Sequence, residues 1–142
     1  VVSQGATGDG VLQETFEIFD FVNIMAYDGG EPHSSLELAE AAFDYWLGRG
    51  LPPEKAVLGV PFYAHPNHVP YRKIVDQDPH AARQDEFEYS GSLLNYNGIP
   101  TMQEKTRLAM QRGSGIMIWT LEFDSQDETS LILAINQALQ SE

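Results

Sequence analysis

The chain has 142 residues, contains no cysteine and carries a formal net charge of −13, from 21 acidic and 8 basic side chains. Disulfides, thiolate metal sites and thiolate nucleophiles are therefore excluded, and nucleic acid and anionic membrane surfaces are poor partners for so negative a protein. No apolar run approaches the roughly 20 residues that cross a bilayer, and the first residues show no signal peptide. One modest domain that acts on a neutral substrate fits these limits.

The first elements in chain order are a loop, a short helix and a strand. Residues 1–10 are small, polar and rich in glycine, which predicts a loop, and residues 12–19 place two phenylalanines at helical spacing. Residues 21–28 are β-prone and alternate strictly, so successive side chains point to opposite faces. One face is aliphatic (Val22, Ile24 and Ala26), and the other carries Asn23, Met25 and Tyr27. Asp28 follows at the C-terminal strand end, where α/β proteins usually place their sites.

The remaining sequence alternates helices and strands around one long irregular segment. The capping-box pattern Ser34-Ser35-Leu36-Glu37 and the apolar stripe after it predict a helix that ends near Gly48. The later predicted elements are a strand at 56–63, an irregular segment at 64–100 with a short helix at 71–75 and an extended piece at 93–97, a helix opened by the capping box at Thr101 and ended by Gly113, a strand at 115–121 and a helix at 127–139. Gly59 and Pro61 share a strand face with Tyr63, which indicates space kept open on that side.

This order predicts an α/β fold with a parallel sheet and right-handed crossovers. The strands are apolar on both faces, so both faces require cover. The predicted helices are enough to cover one face. The other face carries a set of large side chains for which the chain offers no cover: Met25, Tyr27, Tyr63, Met117 and Trp119. Because burial of each such side chain is worth about 1.5–3 kcal/mol, this face is expected to receive further strands from elsewhere.

Three strand motifs together resemble one known family. They are Phe-Asp-Phe-Val-Asn-Ile-Met-Ala-Tyr-Asp at 19–28, Val-Leu-Gly-Val-Pro-Phe-Tyr-Ala at 57–64 and Gly-Ile-Met-Ile-Trp at 115–119. In this order and spacing they are similar to strands six, seven and eight of the (β/α)8 barrel of family-18 glycoside hydrolases, the chitinase family. The resemblance runs from about residue 14 to residue 140 and implies that residues 1–142 are a single C-terminal fragment of that domain, a partial (β/α)8 TIM barrel.

The resemblance implies a site for β-1,4-linked N-acetylglucosamine polymers such as chitin, with no cofactor or metal. In that family the acetamido oxygen of the substrate attacks the anomeric carbon, and hydrolysis retains the configuration without a protein nucleophile. Tyr27 and Asp28 are then the catalytic residues that hold and stabilise the acetamido group. Trp119 forms the aromatic floor beneath the sugar, and Met25 and Tyr63 line the pocket. The family also often has a cis peptide after this tryptophan, at Trp119-Thr120.

The sequence departs from the family pattern at the acid/base residue. The family's glutamate closes an Asp-x-x-Asp-x-Asp-x-Glu motif on strand four, whereas Asp124-Ser-Gln-Asp127 fits only two of its positions. Strands one to four are missing as well. The chain is therefore predicted to carry the acetamido pocket without a general acid, and to be inactive alone. Its expected partners are a chitin oligosaccharide and the missing N-terminal half-barrel, and its expected location is extracellular or periplasmic.

Other interpretations of the same residues remain open. The chain is alternatively a non-catalytic, lectin-like chitin-binding protein, or a half-barrel in which a second copy covers the open face. Tyr27 and Trp119 also suit a packed core, and His65 and His68 have a spacing that suits a metal but lack a third ligand. His33 and His80 are predicted at the surface. Glu122 and Asp124 either contact sugar or supply negative charge at the start of the last helix.

Overall fold

The computed structural model describes residues 2–141 and contains a small parallel sheet with two short hairpins and five helices within that part of the chain. The strands are β1 (Val22–Met25), β2 (Ala56–Pro61), β3 (Tyr63–Ala64), β4 (Val69–Pro70), β5 (Glu86–Tyr89), β6 (Ser92–Asn95) and β7 (Gly115–Trp119). The helices are α1 (Ala6–Asp9), α2 (Leu36–Gly48), α3 (Tyr71–Val75), α4 (Ile99–Arg112) and α5 (Leu131–Gln140). None of these helices is long and apolar enough to cross a membrane.

The sheet has the order β1-β2-β7, and both pairs of strands are parallel. The register aligns Met25 with Gly59 and Gly59 with Met117, so these three positions form one row across the sheet. Pro61 and Trp119 are aligned closer to the C-terminal edge. A parallel sheet connected through helices confirms the predicted α/β class and the partial barrel.

One face of the sheet packs against the helices and forms the core. Its strand residues are almost fully buried: Val22, Ile24, Ala26, Ala56, Leu58, Val60 and Phe62. Phe43 and Trp46 of α2 are buried with them. The apolar stripe of α2 therefore lies on the aliphatic face that the alternation in β1 predicts.

The opposite face lacks such cover within residues 2–141. Met25, Tyr27 and Met117 are only partly buried there, and Trp119 is 56% exposed. These are four of the five large side chains for which the sequence provides no cover, and the fifth, Tyr63, is buried contrary to that expectation. Since they come from the same strands as the core, the open face is a property of the fold and not of one loop.

The helix starts follow from local capping, with one correction. Ser35 accepts a hydrogen bond from the Leu38 amide at 3.1 Å, which confirms the predicted start of α2. The predicted start of α4 at Thr101 is wrong. The helix begins at Ile99, because Asp85 accepts hydrogen bonds from the Gly98 amide at 2.8 Å and from the Thr101 hydroxyl at 2.6 Å. A carboxylate that is distant in sequence thus replaces the capping box.

The N-terminal predictions are also only partly right. Val1 lies outside the described residues, and residues 2–10 are not simply a loop. Val2 pairs in parallel with Ile24, because its amide donates to Asn23 O at 2.8 Å and its carbonyl accepts from Met25 N at 2.7 Å. The segment 12–19 forms only a 3₁₀ turn at Gln13–Glu17, since Phe16 alone of its apolar side chains is buried.

The segment 64–100 is more ordered than predicted. It contains the antiparallel pairs β3–β4 and β5–β6, and α3 occupies the predicted residues 71–75. The His65 and Asn95 backbones exchange hydrogen bonds of 2.9 and 2.7 Å, which tie the two hairpins together. This segment therefore forms a fixed wall beside the C-terminal ends of the sheet strands. The last helix, α5, begins at Leu131, four residues after its predicted start.

Candidate functional site

The residues predicted for the site surround one cleft. The cleft has a volume of about 350 Å³ and lies at the C-terminal ends of the sheet strands on the open face. It is lined by Met25, Tyr27, Asp28, Tyr63, His68 and Trp119. His68 is an addition to the predicted set. Side chains from β1 and β7, and from the segments that follow β1 and β2, thus converge at the edge of the sheet where parallel strands present their sites.

The backbone around β1 and β2 explains how the side chains converge. Asp28 follows β1 with φ +60°, a left-handed conformation that a short polar side chain tolerates better than most residues. Gly59 has no space for a side chain. A Cβ atom there would lie 2.6 Å from Ile24 O, 3.0 Å from Met117 Cε and 3.1 Å from Tyr27 Cε1. The space predicted to stay open beside Gly59 is therefore occupied by the side chains of Tyr27 and Met117.

Asp28 is the polar centre of the cleft. Its Oδ1 atom accepts a hydrogen bond from the Tyr63 hydroxyl at 2.7 Å, and it lies 3.0 Å from His65 Nε2 and 3.4 Å from His33 Nδ1. The two histidine contacts lack hydrogen-bond geometry. Partial burial raises the pKa of Asp28, but the Tyr63 hydrogen bond and the nearby histidines lower it further than burial raises it. The carboxylate is therefore ionised at neutral pH and anchored through one oxygen.

Tyr63 lines the cleft as predicted, but it is more deeply buried than the sequence indicates. Its side chain is 3% exposed, and its ring is enclosed by the rings of Tyr27, His33, His65 and His68. Burial, and then the hydrogen bond to Asp28, raise the pKa of its hydroxyl, which therefore stays protonated as a donor. Tyr63 orients Asp28, and it offers a ligand little of its own surface.

Tyr27 and Trp119 keep surface that a ligand can reach. Tyr27 is partly buried and packs edge-to-face on Tyr63, at 6.3 Å between ring centroids. Burial, and next the charge of Asp28, raise the pKa of its hydroxyl, which forms no hydrogen bond with residues 2–141. Trp119 lies at the end of β7 beside the cleft, and the Trp119-Thr120 peptide is cis, as predicted. A free hydroxyl donor and an open indole ring thus border the anchored carboxylate.

The prediction for His33 is wrong. His33 is 1% exposed instead of lying at the surface, and its ring stacks on that of His65 with centroids 4.3 Å apart and an interplanar angle of 11°. Burial lowers its pKa to about 4, so it is neutral at pH 7. No local sequence signal marks this position, because the Gly29-Gly30 turn folds the loop back over the strand end. His80, in contrast, is exposed as predicted.

Among the described residues, one group of side chains is close enough to share a metal ion. It consists of Asp28, His33 and His65, whose ligand atoms lie within 4.8 Å of one another. The predicted pair of His65 and His68 is not that group. An imidazole binds a metal in the plane of its ring, and two rings stacked nearly parallel have no common in-plane point between them. The stacked arrangement therefore suits support of the carboxylate and does not suit metal coordination.

A buried lysine that sequence reasoning missed supports the loop after Asp28. Lys105 of α4 is fully buried and donates to Ser34 O, Ser34 Oγ and Asn97 Oδ1 at 2.7, 2.7 and 2.8 Å. Burial lowers its pKa to about 7, and the carboxylates of Asp85 and Glu37 oppose that shift. Three acceptors satisfy the three donors of an ammonium group. Lysine is almost always exposed, so the sequence of the helix does not predict that Lys105 is buried.

Asp124 contributes to the start of α5. Its carboxylate accepts hydrogen bonds from the Leu131 amide at 2.8 Å, the Ile132 amide at 3.1 Å and the Ser130 hydroxyl at 2.7 Å. These contacts confirm the helix interpretation and leave the sugar interpretation without support at this residue. Glu122 is exposed and lies outside the cleft that holds Trp119.

The chain matches a protein-family model described as Glycosyl hydrolases family 18 over residues 2–124. No curated protein sequence matches it. The GH18 chitinase ChiB from the chitin utilization locus of Flavobacterium johnsoniae shares 35% sequence identity and superposes with a TM-score of 0.80, over 96% of this chain and 47% of that one.

Two further solved structures have the same fold. A chitinase from Bacteroides thetaiotaomicron is 24% identical, with a TM-score of 0.86 over 99% of this chain and 51% of that one. YKL-39, whose structures were solved in the presence of chitooligosaccharides, is 18% identical, with a TM-score of 0.73 over 99% of this chain and 57% of that one. The chain therefore spans about half the length of these relatives.

Proposed function

The chain belongs to glycosyl hydrolase family 18, and from this membership we propose that it supplies the sugar-binding half of a glycoside hydrolase for chitin-type polymers. The observation that carries the proposal is the cleft itself. Tyr27, Asp28 and Trp119 come from two strands that are not adjacent in the sheet, and they meet on the one face that the helices leave open. A packing role alone gives no reason for this convergence.

In the proposed mechanism the substrate is β-1,4-linked N-acetylglucosamine and its acetamido oxygen is the nucleophile. The Tyr27 hydroxyl has no partner among residues 2–141 and donates a hydrogen bond to the acetamido group. The ionised Asp28 carboxylate stabilises the positive charge that develops as the oxazolinium ring forms. Trp119 packs against the C–H face of the sugar.

Each supporting contact in the cleft has a function in this mechanism. Tyr63 holds Asp28 Oδ1, so the carboxylate keeps a fixed orientation toward the reacting group. Met25 closes the floor of the cleft with an apolar side chain that excludes water. These contacts prepare the pocket for an acetamido group but provide no proton donor for the leaving-group oxygen.

The acid/base glutamate therefore comes from outside residues 1–142. We propose that these residues are the C-terminal fragment of a (β/α)8 domain and that the other strands of the barrel carry the glutamate and cover the open face. This chain alone is then expected to bind sugar and not to hydrolyse it. An extracellular or periplasmic location stays a prediction.

A non-catalytic chitin-binding protein is the second candidate. The observation that favours it is the cleft itself, because Tyr27, Asp28 and Trp119 can bind a sugar whether or not another strand supplies a glutamate. The sequence that precedes Val1 in the parent protein separates the two candidates. A glutamate at the end of that motif supports the enzyme, and a different residue there supports a binding protein.

Calorimetric titration of the chain with a chitin oligosaccharide tests the proposal. We expect saturable binding at or below millimolar sugar, and an affinity at least about tenfold weaker for Trp119→Ala, equivalent to about 1.4 kcal/mol. Phe19→Ala is the matched control, because Phe19 is an exposed aromatic residue (50%) outside the cleft. An absence of heat with millimolar sugar, or equal weakening by both variants, contradicts the proposal.

A further inference from the structure

We propose that His68 is a substrate-contacting residue of the cleft, and that it provides the contact surface that the buried Tyr63 lacks. The inference rests on the proposed sugar-binding function and adds to it a residue outside the strand motifs. His68 lies in the turn between β3 and β4, directly after the second sheet strand. It lines the same cleft as Asp28 and Trp119.

Tyr63 lines the cleft as predicted, but it has little surface left for a ligand. Its hydroxyl already donates to Asp28 at 2.7 Å, and only 3% of its surface is exposed. The ring of His68 stacks on it, with centroids 4.9 Å apart and an interplanar angle of 29°. His68 itself is exposed, so a sugar that enters the cleft on this side meets His68 before it meets Tyr63.

The backbone of the turn places His68 over Tyr63. Asn67 and His68 both have positive φ, at 75° and 51°. Two successive non-glycine residues in this region are uncommon, and each costs on the order of 1 kcal/mol. The turn is held on one side by the pairing of Ala64 with Val69 and on the other by the hydrogen bonds between His65 and Asn95. The flanking structure thus enforces a conformation that turns the His68 ring back over Tyr63.

The imidazole of His68 has free hydrogen-bonding capacity. Its ring packs edge-to-face against His65 at 4.7 Å and stacks on Tyr63, and its nitrogens form no hydrogen bond with residues 2–141. His68 is also outside the group of residues close enough to share a metal ion. A fixed ring with unused donor and acceptor atoms suits the hydroxyl and acetamido groups of an aminosugar, at about 1 kcal/mol for a hydrogen bond.

The chain offers variants that separate this contact from a folding effect. Glycine adopts positive φ without strain, so His68→Gly removes the ring and keeps the turn. Asparagine tolerates the left-handed region and keeps a hydrogen-bonding group, so His68→Asn retains the proposed contact in part. His80→Gly is the matched control, because His80 is an exposed histidine on a 3₁₀ turn outside the cleft.

The test is calorimetric titration of the chain and of these variants with a chitin oligosaccharide, with Trp119→Ala in parallel. We expect affinity to fall about fivefold or more for His68→Gly, to recover in part for His68→Asn and to stay within twofold for His80→Gly, in line with the loss of one hydrogen bond. Thermal unfolding checks that His68→Gly stays folded. If it does not, the imidazole proton shifts of His68 in the unmodified chain, followed by NMR during the titration, provide the same test.

The outcomes distinguish this inference from the function on which it rests. Binding that weakens for Trp119→Ala but stays within twofold for His68→Gly overturns the role of His68 and leaves the proposed function intact. Equal losses for His68→Gly and His68→Asn overturn the hydrogen bond. A chain that does not bind the oligosaccharide at all overturns the proposed function, and with it the role of His68.

Discussion

The two faces of the three-stranded sheet are formed by the same strands, but one face is buried and the other is partly exposed. On one face, Val22, Ile24 and Leu58 are covered by helices of this chain, together with Phe43 and Trp46. On the other, Met25, Tyr27 and Met117 are half covered, and Trp119 is mostly exposed. The alternation of side chains along a strand is sufficient to separate them.

This difference shows that stability and function are divided between the faces. The helix face is covered within residues 2–141, so the chain has a core of its own. The cleft face is only partly covered by other residues of the chain. Its polar cluster is nevertheless fully formed, because Tyr63, His65 and His33 all contact one carboxylate oxygen of Asp28. Substitutions on the first face are therefore expected to change unfolding, and substitutions on the second to change binding.

The largest expected effect comes from removing a core ring on the helix face. Phe43 is fully buried and packs against the end of α4, where a Cβ atom on Gly113 would approach its ring to 2.8 Å. Phe43→Ala is expected to lower the free energy of unfolding by about 3–5 kcal/mol, because the cavity it leaves adds to the lost burial. Urea unfolding followed by circular dichroism measures the change.

Phe19→Ala is the control for that measurement, since Phe19 is half exposed and its loss is expected to cost about 0.5 kcal/mol or less. A cost below about 1 kcal/mol for Phe43→Ala would contradict this assignment of stability to the helix face. The helix face would then not be the main source of stability.

The next effect comes from the cleft face and depends on pH. Burial, and then the nearby His65, lower the pKa of His33 from 6.5 to about 4. Between these values the unfolded chain binds more protons than the folded one, so the free energy of unfolding falls as the pH falls through this window. The full loss is about 3 kcal/mol, at 1.36 kcal/mol for each pKa unit.

His33→Gln is expected to flatten this dependence between pH 6.5 and 4, whereas His80→Gln, at an exposed histidine, leaves it unchanged. Asp28 adds to this dependence only at the acidic end of the window, because its folded pKa lies below 3.8 and its stabilisation is lost progressively from about pH 5 downward. Urea unfolding at several pH values supplies the measurement. An unchanged slope in His33→Gln would show that His33 is not held neutral in the folded chain.

The sequence predicts the features that depend on local periodicity, and misses those that depend on contacts between distant segments. Alternation in residues 21–28 and 115–121 correctly separates the two sheet faces, and Ser35 correctly marks the start of α2. Thr101 is not the predicted cap, because Asp85 approaches from another segment. Buried Lys105 is missed for the same reason, since its three acceptors lie on loops that only the fold brings together.

The site shows the same division. The strand positions of Met25, Tyr27, Asp28 and Trp119 follow from residue type and alternation, and all four lie at the cleft. The positions of His33 and His68 do not follow, because a reversal after Gly29 and a turn with positive φ place them. The position of Tyr63 at the cleft is predicted correctly, but its burial is not, because the side chains that cover it are those of His33 and His68.

The smallest expected effect on the free energy of unfolding is that of Trp119→Ala. It separates the two faces most clearly, because Trp119 is a large aromatic residue outside the packed core. Trp119→Ala removes an indole ring that is 56% exposed, so the free energy of unfolding is expected to change by about 0.5 kcal/mol or less. A ring of this size in the helix-side core would cost several kcal/mol, as proposed for Phe43. Urea unfolding of Trp119→Ala, with the buried Trp46 as the fluorescent reporter, gives the value. A loss above about 2 kcal/mol would place Trp119 among the packing residues and end the division between the faces. A small loss shows that the chain keeps this ring for contacts that residues 2–141 do not themselves provide.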